Sequence, residues 1–135
     1  LDVLFANAGI NGVWAPLEKL QPEEWERTIR VNLTGTFLTI KYAVPHMKKR
    51  GGSVIITSSV NGTRIFSNTG ATAYSCSKAG QVVLAKMVAL ELAEYDIRVN
   101  AICREPSRRR SKRAPRSAIW IGPGSRSGIR KARSR

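Results

Sequence analysis

Tyr74 and Lys78 are the residues of this sequence whose types and spacing most readily suggest chemistry. They open an alanine-rich run, Ala73 to Tyr95, that the pattern predicts as helix. Residues four apart on a helix lie one above the other on the same face, so the phenol and the ammonium are predicted to point the same way. A free phenol has a pKa of about 10 and is a poor base near neutrality. A nearby cation favours the phenolate, with an attraction on the order of 4 kcal/mol at about 4 Å and an effective dielectric near 20. A tyrosine so placed can exchange a proton with the oxygen of an alcohol or a carbonyl compound.

Taken alone, such a pair is more often a helix-surface contact than a site of chemistry, so the elements that would position it decide. Leu1 to Ala6 is short and mostly apolar, the pattern of a buried strand. Asn7-Ala8-Gly9 follows at its carboxyl end, and Ile10 to Gln21 reads as a loop. Pro22 suits a first helical position, with Glu23, Glu24 and Glu26 in the first turns, where the helix dipole favours negative charge. Trp25, Ile29, Leu33, Phe37, Ile40 and Val44 recur at helical spacing. They predict one long helix, Pro22–Met47, bent near Asn32-Leu33-Thr34-Gly35 and closed by Lys48-Lys49-Arg50-Gly51. Ser53 to Ser58 is a second strand with a β-branched centre, and Ser59 to Thr72 a polar loop. The helix bearing Tyr74 comes next, with Val82, Val83, Met87, Leu90 and Leu92 as its predicted core residues, and Ile97 to Ile102 is a third strand. The order β-α-β-α-β predicts an α/β fold, part of a doubly wound, Rossmann-like parallel sheet. Ligands of such sheets bind at the carboxyl ends of the strands. That places Asn7-Ala8-Gly9, Ser58-Ser59 and the head of the Tyr74 helix at one edge.

In that order these segments resemble the short-chain dehydrogenase/reductase family of the classical type. Ala6-Asn7-Ala8-Gly9 is similar to its Asn-Asn-Ala-Gly turn, with Ala6 in place of the first Asn. Val31-Asn32-Leu33-Thr34-Gly35 resembles the helix segment bearing its active-site Asn. Gly52 to Val60 resembles its fifth strand and catalytic Ser, Tyr74 to Ala79 its Tyr-x-x-x-Lys helix, and Ile97 to Cys103 its sixth strand. The resemblance implies catalytic roles for Asn32, Ser59, Tyr74 and Lys78. Tyr74 would be the acid/base, Lys78 would favour its ionisation and hold the nicotinamide ribose, and Ser59 would orient the substrate oxygen. Ser59 is taken rather than Ser58 because Ser59-Val60-Asn61-Gly62 fits the family's pattern better. Asn32 would support a water relaying protons from Lys78. Asn7, Ala8 and Gly9 would line the adenosine side of NAD or NADP. The implied activity is hydride transfer between that cofactor and an alcohol or ketone. The implied assembly is a homotetramer or dimer through Pro22–Met47 and Ala73–Tyr95.

Composition bounds the rest. The chain has 135 residues, 42% of them apolar, and a net charge of +14. Residues 1–103 carry only +3, and residues 104–135 carry +11. The division predicted is therefore a partial catalytic core, 1–103, and a basic low-complexity tail, 104–135, either disordered or out of frame. Two cysteines 27 positions apart and a single histidine, His46, argue against a structural zinc site and for a reducing, cytoplasmic location. No basic leader and no apolar run of membrane-spanning length is read. The family's glycine-rich cofactor turn has no counterpart here. Gly122-Pro123-Gly124-Ser125-Arg126-Ser127-Gly128 has the wrong spacing and place for it. The resemblance thus implies a fragment that is inactive alone. The alternative is a nucleic-acid-binding chain using Arg108-Arg109-Arg110 and Lys112-Arg113, although any such arm also binds polyanions without selectivity.

Overall fold

Alternation along three apolar strands decides how this chain is layered. The structure is a computed structural model and describes residues 1–64 and 69–104. Strands β1 (Val3–Ala6), β2 (Gly52–Ser59) and β3 (Ile97–Arg104) pair in parallel in that order. Leu4 stands beside Val54 and Val54 beside Val99, while Ala6 stands beside Ile56 and Ile56 beside Ala101. Because side chains alternate across a strand, those residues share one face. That face carries the core, in which Val54, Ile56 and Ile97 pack with Ile40, Met47, Ala85 and Leu92 from the helical connections. Val3, Phe5 and Ile102, on the other face, are half exposed.

The first connection holds helix α1 (Pro22–Ile29) and helix α2 (Gly35–Ala43). Gln21 caps α1 reciprocally: its side chain accepts from the Glu24 backbone, and Glu24 Oε2 accepts from the Gln21 N–H at 3.1 Å. The bend expected near Asn32 is a wide π turn, Arg30–Thr34, in which the Gly35 N–H reaches back five residues to the Arg30 carbonyl. The helix also stops earlier than its apolar pattern predicts. Pro45, which has no N–H to give, falls in a 3₁₀ turn, Val44–His46, and the chain then passes buried Met47 into β2.

The second connection is helix α3 (Thr72–Leu92), continued by a 3₁₀ turn, Ala93–Tyr95. The α-helical part begins at Thr72 and gives way to the 3₁₀ turn at Ala93, short of the predicted end, while the run as a whole stops at the predicted Tyr95, where Asp96, at φ 55°, takes the left-handed conformation. The core predicted on α3 is corrected more sharply. Leu92 is buried, but Val83, Met87 and Leu90 are 59%, 52% and 75% exposed, and Val82 is half-buried. The face α3 turns inward instead carries Ala73, Ser77, Lys78, Gln81 and Ala85. Apolar residues lie all round this helix, so periodicity alone did not choose the buried face. Arg104 ends β3, and the rest of the predicted tail lies outside the described residues, as does Gly122 to Gly128.

Candidate active site

The carboxyl ends of the three strands and the head of α3 border an open cavity of about 510 Å³, whose lining includes Asn7, Gly9, Ser59, Tyr74, Lys78 and Trp14. Five of the seven predicted site residues thus face one space. Ala8 and Asn32 do not line it. Ala8 is exposed beside it, and Asn32 is fully buried behind Gly9.

The turn after β2 is drawn hard against α3. A Cβ on Gly62 would meet the backbone nitrogen of Ala79 and lie 2.6 Å from the carbonyl carbon of Lys78, so only glycine fits there. Ser58 Oγ adds a 2.7 Å hydrogen bond to the Lys78 backbone carbonyl. These two contacts set the register of Tyr74 and Lys78 against the strand ends. Ser58 is thereby committed to structure. Ser59 Oγ accepts only from the Asn61 N–H, at 3.3 Å, among the described residues, and its own proton remains available.

Lys78 is buried, 5% exposed. Its ammonium donates to the Thr57 carbonyl at 2.9 Å and to Gln81 Oε1 at 3.0 Å, which leaves one of three N–H groups. It lies 5.7 Å from the centre of the Tyr74 ring. Burial, which disfavours the charged form, holds its pKa below the ordinary 10.5.

Asn32 ties the loop after β1 to α3. Its Oδ1 accepts from the Ile10 N–H at 2.8 Å, and its Nδ2 donates to the Ile10 carbonyl and to Ser77 Oγ, both at 2.9 Å. Its backbone carbonyl takes bonds from Thr36 Oγ1 and Gln81 Nε2. Of the side chain and carbonyl, only one lone pair on Oδ1 is left. A Cβ on Gly9 would lie 3.2 Å from that oxygen and 3.5 Å from Lys78 Nζ, so both atoms border the same small space.

Three residues that the sequence reading passed over belong to this site. Trp14 walls the cavity from the loop after β1. Asn61 lines it and has a buried Oδ1 with no partner among the described residues. Gln81 is fully buried against Lys78 and the π turn. The signal for Gln81 was its polarity one turn past Lys78, just before an apolar run. Among the described residues no three His, Cys, Asp or Glu side chains cluster as a metal site, and no helix is long and apolar enough to cross a membrane.

This chain is similar to known dehydrogenases and reductases. A family model described as short chain dehydrogenase matches residues 1–110. The trans-4-hydroxycyclohexanecarboxylate dehydrogenase of Sinomonas cyclohexanicum is 46% identical over 102 residues, covering 76% of this chain and 38% of that protein. A solved 3-ketoacyl-ACP reductase from Sinorhizobium meliloti superposes with a TM-score of 0.75 at 57% identity, covering 76% of this chain and 41% of the other. Carveol dehydrogenase from Mycobacterium avium, in complex with NAD, superposes with a TM-score of 0.72 at 38% identity, covering 76% and 37%. The chain spans about two fifths of the length of these relatives.

Proposed function

We propose, for a chain that belongs to the short-chain dehydrogenase family, an oxidoreductase activity that interconverts an alcohol and a ketone with NAD or NADP. The observation that carries this reading is the convergence of Ser59, Tyr74 and Lys78 on one cavity at the carboxyl edge of a parallel sheet. The nicotinamide cofactor draws support from a relative described with NAD bound and from the fit of the residues present. The cavity volume lies within the roughly 300–1,000 Å³ usual for ligand sites. Gly9 keeps the space before Lys78 and Asn32 clear, and Lys78 holds one N–H in reserve for a ribose hydroxyl. Asn7, Ala8 and Gly9 would border the adenosine side. When bound, the cofactor supplies or accepts the hydride.

The chain's own residues handle the oxygen and its proton. Ser59 Oγ donates to the substrate oxygen and orients it. Tyr74 gives that oxygen its proton when a ketone is reduced and takes it when an alcohol is oxidised. Lys78 sets a positive charge in the same cavity, 5.7 Å from the centre of the Tyr74 ring. A relay through Asn32 uses Oδ1, the side on which Gly9 leaves room.

Two further readings belong with this one. The exposed apolar residues of α2 (Phe37, Leu38, Tyr42) and α3 (Val83, Met87, Leu90) supply a face for assembly into a dimer or tetramer. The free cysteines, Cys76 and Cys103, suit the reducing cytoplasm. The nucleic-acid alternative drew on Arg108 to Arg113, which lie outside the described residues, and nothing in the cavity favours it.

The test is Tyr74→Phe in the full-length enzyme. Nicotinamide-dependent turnover is expected to fall by at least about 100-fold with the fold intact. Turnover within twofold of the parent would overturn the assignment. Since this chain spans about two fifths of its relatives, the purified 135-residue chain alone is expected to show no turnover.

A further inference from the structure

Gln81 lies three residues beyond Lys78 on α3, fully buried against the π turn. Its Oε1 accepts from Lys78 Nζ at 3.0 Å. Its Nε2 donates to the Asn32 carbonyl at 2.8 Å and to Thr36 Oγ1 at 2.7 Å. The Thr36 hydroxyl in turn donates to the same Asn32 carbonyl at 2.7 Å. This network fixes which way the amide points. Reversed, its oxygen would face a carbonyl and its N–H groups would face an ammonium, and both contacts repel.

We infer that Gln81 is a positioning residue for Lys78. It holds the ammonium so that two N–H groups stay engaged within the protein and the third is directed to the cavity shared with Tyr74 and Gly9. This rests on the dehydrogenase reading of the site. A second consequence concerns the proton. An amide neither releases nor takes up a proton near neutral pH, so the path from Lys78 toward the α1–α2 turn ends at Gln81. Proton exchange at Lys78 therefore runs on the cavity side. Among the described residues, Tyr74 and Arg104 are the other ionisable groups that line that side.

The experiment follows the Lys78 Nζ resonance in the full chain labelled with ¹⁵N-lysine, without cofactor or substrate, as pH is raised. Gln81→Met keeps the side-chain volume but removes the acceptor. Hydrogen exchange at Nζ is expected to speed up at least about tenfold, and the titration midpoint to fall, because the charged form loses a partner. Gln81→Glu sets a carboxylate beside the ammonium and is expected to raise the midpoint. If Gln81→Met does not fold, Gln81→Glu carries the test alone. A midpoint and exchange rate that ignore the substitution in a folded variant overturn the inference. In the full-length enzyme, Gln81→Met is expected to displace the acid limb of kcat/KM, and Gln81→Glu to move it the opposite way. An unmoved profile in both overturns any part for Gln81 in the reaction. Failure of the dehydrogenase reading looks different: turnover would ignore Tyr74→Phe while Lys78 still responded to Gln81.

Discussion

Ser58 Oγ donates a 2.7 Å hydrogen bond to the backbone carbonyl of Lys78, 20 residues further on, and so fastens the end of β2 to α3. Its neighbour Ser59 keeps its own proton uncommitted toward the cavity. Two adjacent residues of one type therefore do different work. Ser58→Ala leaves a buried carbonyl short of a partner and is expected to cost about 1–2 kcal/mol in urea unfolding. Ser59→Ala removes the acceptor of the buried Asn61 N–H and is expected to cost about 1 kcal/mol as well, while abolishing most turnover in the full-length enzyme. Ser58→Ala is expected to keep most turnover wherever it stays folded, and an equal loss of turnover in the two variants would contradict this division.

The close approach of the Val60–Gly62 turn to α3 gives a second prediction. Gly62→Ala places a methyl group against the backbone of Lys78 and Ala79, where no side chain can swing aside. Rigid overpacking of this kind costs about 1–3 kcal/mol or more. The thermal midpoint is expected to fall, and the Tyr74 and Lys78 resonances to shift with it. A variant as stable as the parent would show that the turn yields.

Lys78 predicts a pH dependence of stability whose sign can be worked out. Its folded pKa lies below 10.5, the ordinary value of an unfolded lysine, because burial penalises the charge. Between those two values the unfolded chain binds more protons than the folded one, so stability rises with pH in that window. Below the folded value both states are charged, and the burial cost is present in full. Lys78→Met removes this contribution. The parent is therefore expected to gain stability relative to Lys78→Met as pH climbs toward 10.5. Urea titrations at several pH values check it, and a difference independent of pH would count against the burial of a charged amine.

Leu90 is 75% exposed on the outer face of α3, in line with Val83 and Met87. If that face joins copies of the enzyme, Leu90→Glu is expected to lower the sedimenting mass of the full-length protein to that of a smaller assembly. An unchanged assembly would place the interface elsewhere. The same substitution should alter monomer stability by no more than about 0.5 kcal/mol, since the side chain makes little use of the core.

The order of strands and helices, the carboxyl-edge position of Asn7-Ala8-Gly9 and Ser59, and the shared face of Tyr74 and Lys78 were all legible in the sequence. Each follows from short-range periodicity and from breakers such as Gly51 and Pro22, which act within a few residues. Three things were decided only by tertiary structure. One is the π turn at Arg30–Thr34, where the Asn32 carbonyl meets Thr36 and Gln81. Another is the division of labour between Ser58 and Ser59, set by which hydroxyl α3 approaches. The last is the inward face of α3, which is small and polar at Ser77, Gln81 and Ala85 while its larger apolar residues point away. These depend on hydrogen bonds across 20 to 49 residues and on how closely two helices approach. Such distances exist only once the elements have packed, and no local pattern encodes them.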